Sequence, residues 1–367
     1  MKTKIFNKMK KLQYKPGTLL ALSLFLLSAS LQAQELTKEY HEEYTARKGM
    51  TLDLDNKYGD IVVYTSDNDQ VVIDVKVTLR YPDRDRAERL LSYIDVVFSQ
   101  DDDVISVKTN IDDRFRFTGW GSTSRRFSIN YNVKMPVWMN LDLSNRYGDS
   151  DLDDLTGLVN IDIKYGNINA SKLARGNEKP LNSISLAYGK GNISETGWLD
   201  LNLRYSSDFI LSKSQALLLD SKYSKLKLGS LSSVVGETKY DNIRIDNINN
   251  LVLDAGYADI NVGKLSKKLE LDGAYGSFSV DAVPEGFESI DVSSRYSGVS
   301  IGIDPEASYD LEAKLSYGGL KYNEDNFLNR KRIIENNSTQ ISGIVGSDEA
   351  TSSSVRVNAS YGSVKLY

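Results

Sequence analysis

Apolar side chains return along this chain in a fixed frame around tyrosine. They lie six and four residues before it and three and five after it, as Leu251, Leu253, Tyr257, Ile260 and Val262 do. Leu269, Leu271, Tyr275, Phe278 and Val280 repeat the frame, and so do Leu217, Leu219, Tyr223, Leu226 and Leu228. Several copies add one more apolar residue eight after the tyrosine, at Leu231, Ile248, Leu265 and Val283. Apolar residues two apart predict strand, because alternate side chains share a face. The parity switches from even offsets before the tyrosine to odd offsets after it, so a turn or bulge is expected there. The neighbouring Gly or Ser suits a tight bend. Each copy therefore reads as strand, bend, strand, bend.

The phrase occurs at Tyr58, Tyr147, Tyr165, Tyr188, Tyr205, Tyr223, Tyr240, Tyr257, Tyr275, Tyr296, Tyr317 and Tyr361, twelve of 22 tyrosines. From Tyr188 to Tyr275 the intervals are 17, 18, 17, 17 and 18 residues. The frame slips by one or two apolar positions around Tyr188 and Tyr205. A unit this short cannot bury enough surface to offset its chain entropy, so neighbouring copies must stack. The period is too short for helical hairpins or propeller blades. The expected fold is all-β: a parallel β-solenoid of about twelve repeats, right-handed by the general rule for crossovers and very roughly 55 Å long at one strand spacing per coil. The tyrosines then align as a structural ladder, with an exposed stripe that grips sugar or peptide as the alternative.

Two stretches break the pattern. Residues 34–135 read as an N-terminal cap, with strands at 71–82, 103–109 and 127–136, a short helix at 83–94 and a mobile loop at 112–127. Residues 323–354, rich in Asn, Ser, Glu and Gly, read as one long loop leaving the array, and residues 136–367 otherwise form the repeats. No anchoring domain is expected after the final copy.

The N-terminus changes the picture of location. Lys2, Lys4, Lys8, Lys10, Lys11 and Lys15 precede an apolar run from Thr18 to Ala29. Residues 1–33 thus read as a secretory signal peptide cut after Ala33, in preference to an uncleaved anchor, since a spanning helix needs roughly twenty apolar residues. Removing those six lysines from 45 basic residues leaves 39 against 50 acids, a net charge of −11. Such an acidic exported chain repels nucleic acid and anionic lipid. The absence of cysteine closes disulfides, thiolate metal sites and a lipidated N-terminus.

The single histidine, His41, effectively excludes Ser-His-Asp, Cys-His and multi-histidine zinc chemistry. Acids and amides recur two after the tyrosine at Asp60, Asp149, Asn167, Asn242 and Asp259, which turn chemistry alone explains. No catalytic, cofactor or metal residue stands out. Phe115, Phe117, Trp120, Arg125 and Arg126 form a candidate partner contact, with a loop folding its aromatics back onto the cap as the favoured reading.

The segment "YNVKMPVWMNLDLSNRYGDSDLDDLTGLVNIDIKYGNI" (131–168) and the terminal "VRVNASYGSVKLY" resemble the bacterial putative-adhesin family of β-strand-repeat proteins of unknown function, common in Bacteroidetes. The resemblance implies an exported solenoid without catalytic residues, in the periplasm or at the surface of a Gram-negative cell. The leading expectation is a non-enzymatic envelope protein that binds an envelope glycan or protein. The alternatives are a lyase or glycosidase on a β-helix and a structural part of an envelope-stress system.

Overall fold

A computed structural model of the chain describes residues 34–118, 125–324 and 327–367. The signal-peptide reading and Trp120 lie outside these residues. The described chain is all-β, with long, mostly parallel strand pairing compatible with a solenoid. The described residues divide into two compact units: one holds 34–38, 77–94, 111–118 and 125–127, the other holds 39–76, 95–110, 128–324 and 327–367.

The smaller unit contains the helix Arg84–Leu91, opened by Asp83, whose side chain accepts from the Arg86 N–H. Ala87 and Leu90 are its buried residues. Phe115 and Phe117 lie 4.9 and 5.9 Å from the Phe127 ring, and the Arg125 guanidinium sits 4.9 Å above the Tyr81 ring. Phe115 and Phe117 of the candidate contact therefore pack on their own unit.

In the larger unit, strands of successive copies pair parallel and in register. Leu199 of Lys190–Arg204 pairs with Leu217 of Asp208–Lys222, Leu217 with Val234 of Lys225–Lys239, and Val234 with Leu251 of Asn242–Gly256. The positions six before and three after each tyrosine line the interior, as Leu199, Leu251, Leu269, Ile243 and Ile260 show. The second bend is soft in the middle copies, where the five strands from Lys190–Arg204 to Asp259–Ala274 run 15 or 16 residues through it without a break.

The slips in the frame have packing explanations. Asn182 occupies an apolar column yet is fully buried, and its side-chain oxygen accepts from the Val159 N–H. Gly191 leaves room that the ring of Phe209 on the next strand fills; a Cβ there would lie 2.4 Å from that ring. Ser207 is an extra residue in the turn, because Lys190 pairs with Asp208 across the strands.

Three expectations change. The segment 323–354 is not one loop: Phe327–Glu335 and Ser338–Val345 form an antiparallel hairpin, and the second strand also pairs antiparallel with Tyr309–Ser316. Its alternation is hidden because most side chains of Phe327–Glu335 face solvent. The final copy does not follow its predecessor in space. Ser354–Ser360 lies between Ser289–Arg295 and Tyr309–Ser316, parallel to both. Part of the expected cap also joins the stack, since Leu52 and Leu54 pair with Leu141 and Leu143, and Ile61 pairs with Ser150.

Candidate functional site

Each repeat tyrosine is itself the turn. All twelve carry a positive φ, between 52° and 68°, so the bend sits on the tyrosine and not on the Gly or Ser beside it. A bulky L-residue in this region costs about 1–2 kcal/mol. The main chain at the turn still pays its hydrogen bonds outward: Tyr205 N–H donates to the Lys222 carbonyl, Tyr223 to Lys239 and Tyr240 to Gly256. At the end of the file, Tyr317 donates to Asn337, so the hairpin turn supplies the acceptor that another copy would.

The side chains repay the strain. The rings stand in the order Tyr58, Tyr147, Tyr165, Tyr188, Tyr205, Tyr223, Tyr240, Tyr257, Tyr275, Tyr296, Tyr361, Tyr317. Neighbouring centroids are 4.8–5.1 Å apart and neighbouring planes 2–15° from parallel. Each contact adds about 0.5–1.5 kcal/mol beyond burial. From Tyr147 onward the ladder tyrosines remain 47–59% exposed. Ring faces are covered by the neighbours above and below, so the exposed part is the ring edge with its phenol oxygen.

The small residue after each tyrosine follows from coil spacing. A Cβ on Gly148 would lie 1.9 Å from the Gly59 carbonyl oxygen, and one on Gly166 equally close to that of Gly148. Where Ser, Asp or Ala stands there instead, its side chain is buried, as at Ser224, Asp241 and Ala258, and the residue two before the tyrosine is small at Ser221, Thr238 and Ala255, though it is Leu203 in the copy with Ser206. Ser206 N–H donates to Ser224 Oγ, and Ser224 N–H donates to Asp241 Oδ1 at 2.6 Å. Burial pushes the Asp241 carboxyl above the usual carboxylate range, opposed by the Thr238 hydroxyl that donates to it.

The acids two after the tyrosine tie coil to coil. Asp60 Oδ1 accepts from the Asp149 N–H, Asp149 Oδ1 from the Asn167 N–H, and Asn167 Oδ1 from the Lys190 N–H, at 2.8–2.9 Å. They are occupied by turn bonding.

On the other flank, cations immediately precede many of the tyrosines, at Lys57, Arg146, Lys164, Arg204, Lys222, Lys239 and Arg295. Acids stand two residues further back at Asp55, Asp162, Asp220, Glu237, Asp254 and Asp272. This outward sheet face holds two shallow open troughs. One is lined by Asp53, Asp142, Asn160 and Asp162, the other by Asp254, Glu270, Asp272 and Asp291. Leu218 and Val235, paired on neighbouring strands, are exposed apolar residues on the same face. Among the described residues no group of three or more His, Asp or Glu is placed to hold a metal ion. No described helix is long and apolar enough to cross a membrane. His41 is exposed, and its Nδ1 lies 2.6 Å from an Asp74 carboxylate oxygen. That hydrogen bond foremost, with a second from Glu43, raises its pKa.

Of the candidate partner contact, Phe115 and Phe117 are half-buried against Phe127 and Arg126 is exposed. The tyrosine edge as an exposed surface was legible only as the less favoured reading, because period and composition do not reveal which part of a stacked ring meets water.

No protein-family model and no curated protein matches the sequence. Among solved structures the chain is similar to a putative adhesin from Parabacteroides merdae, at 9% identity and a TM-score of 0.33, covering 90% of this chain and 96% of that one. A putative adhesin from Parabacteroides distasonis is similar at 9% identity and a TM-score of 0.31, covering 90% and 97%. A putative lipid binding protein from the same organism is similar at 11% identity and 0.31, covering 91% and 97%. Two of these three solved structures are described as putative adhesins, consistent with the family resembled in sequence.

Proposed function

We propose that the chain is an exported, non-enzymatic component of the bacterial cell envelope. It is a right-handed β-solenoid of about twelve repeats that acts as an adhesin-like binding or scaffold protein. Residues 1–33 direct export, residues 34–135 cover the start of the array, and the protein resides in the periplasm or at the cell surface. The observation that carries this reading is the tyrosine file: a periodic edge of stacked rings, half exposed from Tyr147 onward. Such an edge suits an extended partner that repeats, an envelope glycan or protein. At the tyrosine edge the neighbouring acids Asp60 and Asp149 are engaged in turn bonding, which supports binding over catalysis there, because a carboxylate pair that works on substrate needs oxygens free of turn duty.

The test uses the processed chain and isolated envelope material. Tyr188, Tyr223 and Tyr257 are changed together to Phe, which keeps ring stacking and removes three phenol oxygens. Retention of the protein on sedimented envelopes is expected to fall several-fold with an unchanged melting temperature. Equal retention of this variant and the parent removes the tyrosine edge as the contact line. Protease treatment of intact against lysed cells separates surface from periplasm.

A further inference from the structure

We propose that the stretch of the edge from Tyr188 to Tyr240 binds an extended anionic polysaccharide, whose carboxylates are held by lysines flanking the ring file on both sides. This deepens the binding reading above and rests on it.

The stacking decides what kind of contact is available. Tyr188, Tyr205, Tyr223 and Tyr240 are spaced 5.0, 4.9 and 4.8 Å with planes 2° apart. Their faces are covered, so a sugar cannot stack on them as it does on an isolated aromatic. What remains is a row of phenol oxygens at the pitch of the coils, which can donate to and accept from the hydroxyls of a chain lying along the file. That pitch is close to one sugar unit of an extended polysaccharide.

The charges decide the class. Lys222 and Lys239 directly precede Tyr223 and Tyr240, and they are register partners on adjacent parallel strands. On the opposite flank Lys190 and Lys225 stand two residues after Tyr188 and Tyr223. Like charges on neighbouring strands repel. The nearby acids are partly engaged: Asp220 with Arg204 at 2.5 Å and Asp208 with Lys227 at 3.1 Å, while Glu237 lies two residues before Lys239. Within the stretch Tyr223 has a lysine on each flank, while Tyr188 has one only after it and Tyr240 one only before it, and Asp208 pairs with Lys190 on the next strand. Beyond the stretch the paired lysines end. Tyr257 lies between Gly256 and Asp259, and Tyr147 has Arg146 on one side but Asp149 on the other. A cationic track on both sides of the rings, in a chain of net negative charge, complements a linear polyanion. The repeating geometry without an apolar pocket favours a repeating polymer over a folded acidic protein.

The experiment measures binding of the processed chain to polygalacturonate by calorimetry, with the fully methyl-esterified polymer as the uncharged counterpart. Binding to the acid form is expected, with log affinity falling against log salt at a slope of about −3 for four contacts. Changing Lys190, Lys222, Lys225 and Lys239 together to Glu is expected to weaken it at least 100-fold, and the four Arg replacements to preserve it. Changing Lys48, Lys264, Lys321 and Lys331 to Glu carries the same net charge change away from the site and should leave most of the affinity. The proposal is overturned if the parent does not bind the acid polymer, if the ester binds equally, or if both Glu variants lose binding alike. Envelope retention that survives in the Lys190/Lys222/Lys225/Lys239 variant overturns the ligand class while leaving the binding edge standing. Retention lost by the Phe variant but not by that Glu variant has the same meaning.

Discussion

Tyr223 tests the account of the turn most directly, because strain and stacking pull in opposite directions there. Its φ is 57°, and its ring lies 4.9 Å from Tyr205 and 4.8 Å from Tyr240 with planes 2° apart. The two contacts are worth about 1–3 kcal/mol beyond burial. The side chain is 48% exposed, so about 100 Å² of ring leaves water, contributing about 2.5 kcal/mol. Tyr223→Ala loses both contributions and keeps the left-handed backbone cost, for a net loss of about 3–5 kcal/mol. Tyr223→Gly loses the same ring but recovers about 1–2 kcal/mol of strain, less about 0.5–1 for its greater freedom when unfolded. Gly is therefore expected to be the milder substitution by up to about 1 kcal/mol, the reverse of the usual order within strands. Tyr223→Phe keeps the ring and should stay within about 0.5 kcal/mol. Urea midpoints give the ranking, and hydrogen exchange across Lys222 to Leu228 reads the local opening of the coil where unfolding is not two-state. An Ala variant clearly more stable than the Gly variant, or an Ala cost below about 1 kcal/mol, would refute the claim that stacking holds the tyrosine in its strained turn.

Three further outcomes follow from the packing. Gly166→Ala places a Cβ 1.9 Å from the Gly148 carbonyl oxygen and should abolish folding or cost more than about 3 kcal/mol, whereas Gly176→Ala meets nothing within 4 Å and should be near neutral in the same melting assay. Asp241→Ser retains an acceptor for the Ser224 N–H, as Ser224 does for Ser206, and should be milder than Asp241→Ala. Because burial raises the Asp241 pKa, the folded chain holds this proton more tightly than the unfolded one. The cost of its charge is present above the raised value and fades as pH falls towards the ordinary one, so melting temperatures should shift in favour of Asp241→Ser between acid and neutral pH. A flat or opposite trend contradicts the assignment. Deleting 354–367 strips Ser289–Arg295 and Tyr309–Ser316 of a shared parallel partner; loss of exchange protection in both strands is expected, and protection kept in Tyr309–Ser316 would count against the intercalated arrangement.

The strand content and the interior columns were legible because burial on one face imposes a period of two, and Leu251, Leu253, Ile260 and Val262 obey it. The breaks were not, because each depends on a partner far along the chain. Gly191 looks like a defect until Phe209 is beside it, and Asn182 until Val159 donates to it. The bend was legible at the tyrosine from the switch of parity, but not which residue takes the positive φ: Gly and Ser advertise it, yet the glycines are there for coil-to-coil clearance and the tyrosines take the left-handed conformation. The place of the last copy could not be read at all. Copies that share one frame offer one another the same pairing edge, so nothing local tells Val355 to sit between Ile290 and Leu311.

Structural ladder and exposed stripe were opposed in the sequence, but the geometry makes them one object. Parallel rings about 5 Å apart cover one another's faces, which is where the stabilising contact lies, and leave their edges outward because the turn that carries them is the outermost point of the coil. Stability and presentation thus use different parts of the same side chain. A substitution to Phe removes the presented oxygen and leaves the stack, while a substitution to Ala removes both. If the edge binds a partner, the two classes of variant must separate: Phe variants should lose ligand without losing protection from exchange, and no variant should do the converse, since an edge cannot stay aligned once its stack is gone.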